Sequence, residues 1–579
     1  MIKARIAACA PDTANLKDYD RTRAGFSWEG IEQTFSWRGS DRMNIMTESV
    51  DKWAADPERM HHRALVFDAR GRCETLTYVQ LREKSRRWAA MLAGFGFRPG
   101  DRLVVFLPVC PETYYAMTAC ARLGVIFCPV FASANVMSLE SRLEGISPRG
   151  VLTHPDLVEK IPSEFGGKLD HILLVNGPAP DLFTNETVIE GMADRLTLSG
   201  ETDFRLFSAD TPLYLMFTSG STRPPKGIVH THGDMAGIRA TAGWALDLTP
   251  DTLLWTDADP AWVTGTVYGA YAPWLCGVTS LVVGDGFSAA NWYRALEKHR
   301  VSVWYTTPKV LRDLMDAGDD LPGRFNLTHL RHIVTAGAPL VPEILYWCRR
   351  HLNCTPHDTW WMTETGIICI ANLPSIDIKP GSMGKPLPGI EAAVLDENGD
   401  PLPPLSFGEL ALRRPWPGLM AGIWQDDERY RGYFREGDWF LTGDIAVEDE
   451  EGYFYHQGRN DDLLKAGGDK LVGPFEIEQL LCMHPAVAEA AVISKGTEPG
   501  RGISYLKAFV TPARGYTPSN RLVYAIKAFL KGNLEADLVV GEVEFIEELP
   551  KTRSGKLLRR MLRARELGLP GGDPLNMQD

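Results

Sequence analysis

The sequence predicts an α/β fold: a large N-terminal domain of parallel-sheet βαβ subdomains with a small β-barrel-like subdomain, followed by a small α+β C-terminal domain. The chain has 579 residues, of which 44% are hydrophobic and 23% charged, a globular composition at a length that favours several domains. Short β-branched runs alternate with amphipathic segments, which is the pattern of βαβ units. From about residue 391, shorter strand-like pieces with acidic turns replace that pattern.

Two stretches carry the βαβ pattern most clearly. In the first, RLVVFLP, beginning at Arg102, is followed by ETYYAMTACARLG and then by VIFCPVF. In the second, SLVVGDG leads through NWYRALEKHR to VSVWYTT. Apolar strands that are joined by helices in this way form parallel sheets with the helices on their faces.

The later part of the chain predicts a different architecture. The segments AAVLDENGDPL, GELALRR and EDEEGYFYH indicate an antiparallel or barrel-like subdomain. The charged and glycine-rich stretch GRNDDLLKAGGDK, residues 458–470, then interrupts the pattern, and a new α+β pattern begins at PFEIEQLL. We therefore predict a large domain over residues 1–461 and a small domain over residues 462–579.

Charge and cysteine content exclude several classes of function. Acidic residues outnumber basic ones by 74 to 61, a formal net charge of −13, which argues against nucleic acid or anionic membrane as a partner. The ten cysteines form no CxxC pair and show no zinc-ligand spacing, so we expect buried thiols in a reducing compartment. The N-terminal apolar run is too short for a signal sequence. We expect a cytoplasmic protein without membrane insertion.

The stretch YLMFTSGSTRPPKGIVHTHG, residues 214–233, is the most informative part of the chain. A strand-like run ends in small hydroxyl residues around glycine, which offer the backbone and side-chain donors that hold phosphates. Taken alone, an ordinary polar turn is the commoner interpretation. A Walker A motif beginning at Gly220 would require glycine at Pro225 and serine or threonine at Gly227, so a P-loop nucleotidase is disfavoured.

This loop resembles the signature of adenylate-forming enzymes, the superfamily of acyl-CoA synthetases, peptide-synthetase adenylation domains and luciferases. Their usual pattern TSGSTGxPKG stands here as TSGSTRPPKG. The stretches around WVTG, GSMGKPLPG and WPGLM resemble AMP-forming acetyl-CoA synthetases of the shorter bacterial type, and this likeness covers the chain from about residue 35. Other superfamily motifs follow in order, namely DTWWMTETG at 358–366, FLTGD at 440–444, GRNDD at 458–462 and LPKTRSGK at 549–556.

The resemblance implies an AMP-forming carboxylic acid–CoA ligase. In this reaction a carboxylate attacks the α-phosphate of ATP to give acyl-AMP and pyrophosphate, the small domain rotates, and the CoA thiol displaces AMP. The expected cofactors and partners are ATP, Mg²⁺, coenzyme A and a small-molecule carboxylate. Residues 1–461 would form the adenylation domain, and residues 462–579 the mobile domain with the catalytic lysine.

The same resemblance assigns the catalytic and nucleotide-binding residues. Lys556 would stabilise the adenylation transition state from a mobile loop, Thr363 would contact the α-phosphate, and Glu364 would hold Mg²⁺. Asp444 would bind the ribose hydroxyls. The residues expected to bind ATP or AMP are Thr218, Ser219, Gly220, Ser221, Thr222, Lys226, Gly337, Ala338, Pro339, Asp358, Thr359, Trp360, Asp444, Arg459 and Lys470.

The remaining assignments concern the hinge, the CoA tunnel and the acid. Asp461 is the expected hinge, and Gly467 and Gly468 would line the pantetheine tunnel, where missing side chains permit close approach. Trp361 would close the acid pocket and favour a short chain. The residues expected to line this pocket are Trp262, Val263, Thr264, Ala336, Trp361 and Met362.

The identity of the acid is less firmly predicted than the reaction. Ala336, Ala338 and Met362 stand where valine, glutamate and glutamine are usual in the acetyl-CoA synthetases that the chain resembles. One methylene of fit contributes only about 1–3 kcal/mol of discrimination, so such changes can redirect specificity. We expect acetate or propionate, and the alternative is a bulkier branched, hydroxylated, alicyclic or aromatic acid.

Two other functions compete with acid–CoA ligation. One is adenylation followed by transfer to a carrier protein, which the acetyl-CoA-synthetase-like segments and the lack of a fused carrier domain disfavour. The other is a catalytically silent nucleotide-binding regulator. The joint presence of Thr363, Glu364, Asp444 and Lys556 counts against that function.

Overall fold

The chain forms two compact units. Of the described residues, the first comprises those within 1–390 and 414–432, and the second comprises those within 391–413 and 433–577. The predicted boundary between residues 461 and 462 stays a prediction. The computed structural model describes residues 5–10, 12–38, 40–69, 71–177, 182–189, 191–196, 205–218, 225–462, 464–466, 470–497, 504–534, 539–551 and 557–566.

The first unit contains a mainly parallel sheet that confirms the first predicted βαβ unit. Strands Arg102–Leu107 and Ile126–Phe131 pair in parallel and are joined by helix Pro111–Leu123. Strand Lys226–Thr231 is antiparallel to both of its neighbours. The strand order over the described residues is Gly422–Ile423, Lys226–Thr231, Pro212–Thr218, Ile126–Phe131, Arg102–Leu107, Gly150–Thr153, His171–Leu174 and Glu186–Val188.

A second large sheet of this unit is parallel at its centre and antiparallel at both edges. It confirms the second predicted βαβ unit, in which helix Ala289–His299 joins strands Thr279–Val283 and Val303–Thr306. These two strands are not neighbours in the sheet, because strand Leu253–Thr256 lies between them and pairs with both. The strand order in the described part of the chain is Lys385–Pro386, Ile370–Ala371, Pro356–Trp360, His332–Thr335, Val303–Thr306, Leu253–Thr256, Thr279–Val283, Arg63–Ala69 and Arg72–Thr77.

Helices cover the faces of these sheets and bury two apolar cores. One core packs Trp255, Trp304 and Tyr293 beneath helices that flank the second sheet, and the other packs Phe106 and Leu139 beside the first sheet. None of the helices in the described ranges is both long and apolar enough to cross a membrane. The α-helices of this unit are Tyr19–Ala24, Trp28–Glu32, Lys52–Ala55, Tyr78–Gly94, Pro111–Leu123, Val136–Ile146, Met235–Ala245, Val263–Thr266, Ala272–Leu275, Ala289–His299, Pro308–Asp316, Pro342–His351 and Asp427–Arg431.

Shorter elements complete the first unit. Strands Arg42–Met43 and Phe207–Ser208 pair with each other. The π-helical turns are Thr47–Asp51 and Val267–Tyr271, and the 3-10 turns are Pro155–Lys160, Ser163–Phe165, Ala193–Arg195, His232–Asp234, Pro322–Arg324 and Thr363–Thr365.

The second unit begins with the antiparallel sheet that the sequence predicts after residue 391. Strands Glu391–Leu395, Phe407–Arg413 and Trp439–Glu448 pair in that order, and strands Phe434–Arg435 and Phe454–Arg459 both pair with Trp439–Glu448. The 3-10 turn Asn460–Asp462 and the paired strands Leu464–Ala466 and Lys470–Val472 follow.

The α+β pattern predicted from PFEIEQLL forms the rest of the second unit. Helix Pro474–Cys482 begins at this motif, and its Ile477 packs with Val492 and Ile526 in the core of the unit. The remaining elements are strands Val487–Thr497, Ser504–Pro512 and Val539–Phe545 and helices Asn520–Asn533 and Arg559–Glu566. The mixed α/β fold class is therefore confirmed.

Candidate active site

The parallel strands of the second sheet bring two groups of predicted site residues to one edge. Strands His332–Thr335 and Pro356–Trp360 are adjacent and parallel. The segments that follow them, residues 336–340 and 361–366, therefore leave the sheet at the same edge. In open α/β sheets the carboxyl edge of the strands is where ligands bind.

Asp358 fixes the segment that is expected beside adenine. Its carboxylate accepts hydrogen bonds from Thr335 Oγ1 at 2.8 Å and from the backbone N–H of Leu340 at 3.2 Å. Burial raises the pKa of Asp358 to about 7. Gly337 has a φ of +92° in this segment, a conformation that glycine adopts without strain. Asp358 thus engages the protein backbone that carries Gly337, Ala338 and Pro339.

The adjacent residues of the same strand are also held by the protein. Thr359 donates its hydroxyl to the carbonyl oxygen of Thr335 at 2.7 Å. Trp360 is buried. The strand therefore presents Thr363 and Glu364 from a rigid support.

Strand Lys226–Thr231, which follows the predicted phosphate loop, contacts the turn Thr363–Thr365 through two side chains. Lys226 Nζ forms an ion pair with Glu364 Oε1, and both side chains are less than a tenth exposed, at 7% and 6%. Four residues further along that strand, His230 Nε2 lies 2.7 Å from the carbonyl oxygen of Thr363. The positive charge of Lys226, which we expected near the phosphates, thus neutralises the carboxylate expected to bind the metal.

The WPGLM segment supports the same turn from another side. The backbone N–H of Met420 donates to the carbonyl oxygen of Glu364 at 2.9 Å, and the indole of Trp416 donates to that of Thr365 at 3.0 Å. Gly366 has a φ of +67°, and a Cβ there would lie 2.1 Å from the carbonyl oxygen of Gly418. Only glycine therefore fits at the end of the turn.

Two described residues flank the segment that is predicted to bind phosphates. Thr218 and Lys226 face each other across antiparallel strands. Thr218 Oγ1 is buried and has no hydrogen-bond partner among the described residues, and a buried hydroxyl without a partner is costly unless a ligand satisfies it. The loop residues Ser219, Gly220, Ser221 and Thr222 lie outside the described residues.

Trp361, expected at the acid pocket, is held by two tyrosines. Its indole N–H donates to the hydroxyl of Tyr305 at 2.9 Å. Its ring packs edge-on against Tyr268, with centroids 4.9 Å apart and an interplanar angle of 83°. The Tyr268 hydroxyl in turn accepts the backbone N–H of Ile368 at 2.7 Å. The orientation of the indole is therefore fixed.

The WVTG motif begins the helical run that contains Tyr268. Trp262 precedes the first helical residue, and Val263 and Thr264 are buried. A Cβ at Gly265 would lie 2.2 Å from the carbonyl oxygen of Asp259, so glycine lets this turn pack directly on the preceding backbone. The other expected pocket residues lie at the sheet edge, where Ala336 is buried and Met362 immediately precedes the Thr363–Thr365 turn.

In the second unit, Asp444 is paired with Arg459. The two residues are cross-strand neighbours, and Arg459 Nη1 lies 2.8 Å from Asp444 Oδ1. His456 Nε2 lies 3.5 Å from the other carboxylate oxygen. Arg459, the predicted phosphate ligand, and Asp444, the predicted ribose ligand, are therefore joined by an ion pair.

The structure describes the two residues that flank the segment predicted to carry the catalytic lysine. Lys551 and Leu557 form an isolated antiparallel bridge, and the N–H of Leu558 donates to the carbonyl of Pro550 at 2.9 Å. Lys556 itself and the predicted tunnel residues Gly467 and Gly468 lie outside the described residues. The side chains of Asp461, in the turn Asn460–Asp462, and of Lys470, at the start of a strand, are likewise outside the description.

The residues present fit a magnesium ion that is bound together with nucleotide. Across the described part of the chain, no group of three or more His, Cys, Asp or Glu side chains is arranged to hold a metal ion. Mg²⁺ is ordinarily held by one or two carboxylates together with substrate phosphates and water. The single buried carboxylate of Glu364 meets that requirement.

Sequence reasoning missed the residues that hold the predicted ones in place. Most of these side chains are buried, and most of them contact residues that lie far away along the chain. The even spacing of Lys226 and His230 on a strand was a usable signal, because residues four apart on a strand face the same side. The missed residues are His230, Asp234, Tyr268, Tyr305, Trp416 and His456.

The chain is similar to proteins of known families and structures. The family described as AMP-binding enzyme matches residues 51–424, and its C-terminal domain matches residues 476–556. The acetyl-coenzyme A synthetase of Bacillus subtilis is 42% identical over 98% of both chains. A Brucella canis acyl-CoA synthetase has a TM-score of 0.73 at 28% identity and covers 95% of this chain and 99% of its own. An anthranilate CoA ligase in complex with anthranoyl-AMP has a TM-score of 0.79 at 26% identity, covering 90% and 97%.

Proposed function

We propose, because this chain belongs to the AMP-binding enzyme family, that it is an AMP-forming carboxylic acid–CoA ligase acting on acetate or another short acid. The observation that carries the acid assignment is the fixed indole of Trp361. The cosubstrates are ATP and coenzyme A, and the proposed site of action is the cytoplasm. None of the ten cysteines, all of which lie in the described ranges, forms a disulfide, in keeping with that compartment.

In the first half-reaction, a carboxylate oxygen of the acid attacks the α-phosphorus of ATP, and the bond to pyrophosphate breaks. Negative charge develops on oxygens that need donors already in place. Thr363 donates to the α-phosphate, and Lys556 brings its ammonium to the reacting phosphate. Glu364 would hold Mg²⁺, which would supply positive charge to neutralise the phosphates.

Lys226 has a supporting role in this proposal. Its ammonium is engaged by the Glu364 carboxylate, so it sets the charge and position of the metal-binding group. The hydroxyl of Thr218, which lacks a partner within the described ranges, donates to the β- and γ-phosphates together with Ser219 and Ser221. Asp444 accepts the ribose hydroxyls.

In the second half-reaction, the CoA sulfur attacks the acyl carbon, the bond from that carbon to the phosphate oxygen breaks, and AMP leaves. Rotation of the small domain about Asp461 removes Lys556 and brings Gly467 and Gly468 to the pantetheine arm. Glycine permits the close approach of a narrow thiol-bearing chain.

The size of the acid follows from the packing of Trp361. An indole held by Tyr305 at its nitrogen and by Tyr268 at its ring forms a fixed wall. A fixed wall limits the length of the acyl chain. The name of the Bacillus subtilis relative, an acetyl-coenzyme A synthetase, supports the same assignment.

A bulkier acid is the second candidate. Ala336 is buried at the sheet edge, where the smaller side chain leaves more volume than the valine usual in acetyl-CoA synthetases. Met362, beside Trp361, adapts its shape readily to different neighbours. These two side chains favour a branched or cyclic acid if the indole does not set the limit.

CoA-dependent formation of AMP across a panel of acids tests the proposal. The panel contains acetate, propionate, butyrate, 3-hydroxypropionate, benzoate and cyclohexanecarboxylate, each with ATP, Mg²⁺ and CoA. We expect the highest kcat/KM with acetate or propionate, and a maximum with benzoate or cyclohexanecarboxylate would establish the second candidate. Reactions that stop at acyl-AMP would indicate transfer to a carrier protein, and absence of pyrophosphate with every acid would indicate a silent regulator.

A further inference from the structure

A buried series of hydrogen bonds connects Asp234 through His230 to the backbone of Thr363. His230 has no exposed side-chain surface. Its Nδ1 lies 2.7 Å from Asp234 Oδ2, and its Nε2 lies 2.7 Å from the carbonyl oxygen of Thr363. A carbonyl oxygen only accepts hydrogen bonds, so Nε2 carries a proton and donates it.

Asp234 is itself held in place. Its Oδ1 accepts the hydroxyl of Thr231 at 2.7 Å, and its Oδ2 accepts the Thr231 backbone N–H at 3.3 Å. The His230 ring stacks on Tyr214, with centroids 4.8 Å apart. The imidazole is therefore fixed in its plane and at both nitrogens. Such bonds are stronger in a buried site than in water.

The position of His230 relates it to the ion pair at Glu364. Lys226 and His230 lie four residues apart on one strand and face the same side of it. Lys226 contacts the side chain of Glu364, and His230 contacts the backbone of Thr363. This strand therefore fixes the positions of two consecutive residues of the turn. It holds Glu364 by its side chain and Thr363 by its backbone carbonyl.

We propose that His230, oriented by Asp234, is a positioning residue for the adenylation half-reaction, because it fixes the backbone from which Thr363 and Glu364 approach ATP. This inference rests on the proposed function. A displacement of a catalytic group by a small distance lowers the rate far more than it lowers substrate binding. His230 and Asp234 affect the rate of acyl-AMP formation and leave the rate of thioester formation from acyl-AMP unchanged.

Two substitutions of His230 separate its two hydrogen bonds. A glutamine amide nitrogen can reach the place of Nε2, whereas an asparagine amide nitrogen reaches only the place of Nδ1. His230→Gln thus keeps the bond to Thr363, and His230→Asn loses it. His232 provides the matched control, because it is equally buried and only two residues away but its Nδ1 accepts the backbone N–H of Ile45 at 3.2 Å.

The two half-reactions are measured separately for wild type and variants. Acetate-dependent exchange of pyrophosphate into ATP reports adenylation, and acetyl-CoA formation from supplied acetyl-AMP reports thioester formation. We expect His230→Asn to lower kcat for adenylation by about 30-fold or more with KM for ATP changed by about twofold at most. For His230→Gln we expect adenylation within about fivefold of wild type, and for His232→Asn within about twofold. Thioester formation stays within about twofold throughout.

Several results would overturn this inference. They are adenylation by His230→Asn at the wild-type rate, an equal loss in both half-reactions, or a glutamine variant as impaired as the asparagine variant. If His230→Asn does not fold, Asp234→Asn makes the test; we expect about a fivefold or greater loss in adenylation alone, and an unchanged rate would overturn the inference. If wild type shows no exchange with any acid of the panel, the proposed function has failed, and that result is distinct from a variant-specific loss.

Discussion

Trp361 donates its indole N–H to the hydroxyl oxygen of Tyr305 at 2.9 Å. The same hydroxyl lies 2.9 Å from Thr359 Oγ1, so one tyrosine connects the proposed wall of the acid pocket to the strand of nucleotide-binding residues. The indole cannot turn to admit a larger acid without losing that bond. In the proposed function, the acid specificity would therefore depend on Tyr305 as well as on Trp361.

We expect Trp361→Gly to lower kcat/KM for acetate by about tenfold or more and to raise it for valerate, because removing the indole opens space that only a longer chain fills. Steady-state kinetics with both acids measure this change. Tyr305→Phe is the matched control, since it keeps the ring and removes only the hydroxyl that accepts from Trp361 and contacts Thr359; a smaller shift in the same direction is expected. An unchanged preference for acetate in Trp361→Gly would show that another residue limits the chain length.

The ion pair of Lys226 with Glu364 predicts a pattern of stability. Lys226→Met should lower the free energy of unfolding by about 3 kcal/mol or more, because it leaves a buried carboxylate without its cation. Adding Glu364→Gln to that variant should recover part of the loss. Urea unfolding of wild type, both single variants and the double variant measures the coupling. Losses that simply add would contradict a direct pair.

Lys556 is predicted to act in one half-reaction only. Lys556→Ala should lower acetate-dependent pyrophosphate exchange by about 100-fold or more, because no other ammonium is expected at the reacting phosphate. Acetyl-CoA formation from supplied acetyl-AMP should remain close to wild type. Lys551→Ala is a matched control on the same loop, where Lys551 pairs with Glu489. Equal losses in Lys556→Ala and Lys551→Ala would refute a catalytic role.

Burial of Asp358 predicts a dependence of stability on pH. Its pKa is raised from 3.8 to about 7, so between about pH 4 and about pH 7 the folded protein keeps a proton that the unfolded chain has lost. Stability from this group is therefore present at low pH and declines as the pH rises through that window. The difference in free energy of unfolding between wild type and Asp358→Asn should fall by about 1.4 kcal/mol per pH unit between pH 5 and 7. Chemical denaturation at several pH values measures it, and a constant difference would contradict the raised pKa.

Local pattern was sufficient to predict much of the fold. The apolar run that ends at Thr218 forms a strand that ends at this residue. The change from a βαβ pattern to short strand-like segments at about residue 391 coincides with the start of strand Glu391–Leu395. Both follow from periodicity and turn residues, which depend on near neighbours. The order of strands does not, and the insertion of Leu253–Thr256 between Thr279–Val283 and Val303–Thr306 could not be predicted from pattern alone.

The candidate site residues were assigned from the family resemblance, and their roles stay predictions. The resemblance implied that Thr363 contacts the α-phosphate, that Glu364 holds Mg²⁺ and that Lys226 lies near the phosphates. It could not show that Lys226 pairs with Glu364 or that Asp358 holds the backbone of Leu340. Such contacts join distant parts of the chain through buried polar groups, and the demand that each buried group finds a partner becomes visible only in the folded structure.

The most direct test of the central claim is the product balance of one reaction. Wild-type protein is incubated with ATP, Mg²⁺, acetate and CoA, and the nucleotides, phosphates and thioester are separated and quantified. We expect AMP, pyrophosphate and acetyl-CoA in equal amounts, with none of them formed when acetate is omitted. Formation of ADP and orthophosphate, or of AMP without thioester in the presence of CoA, would contradict it.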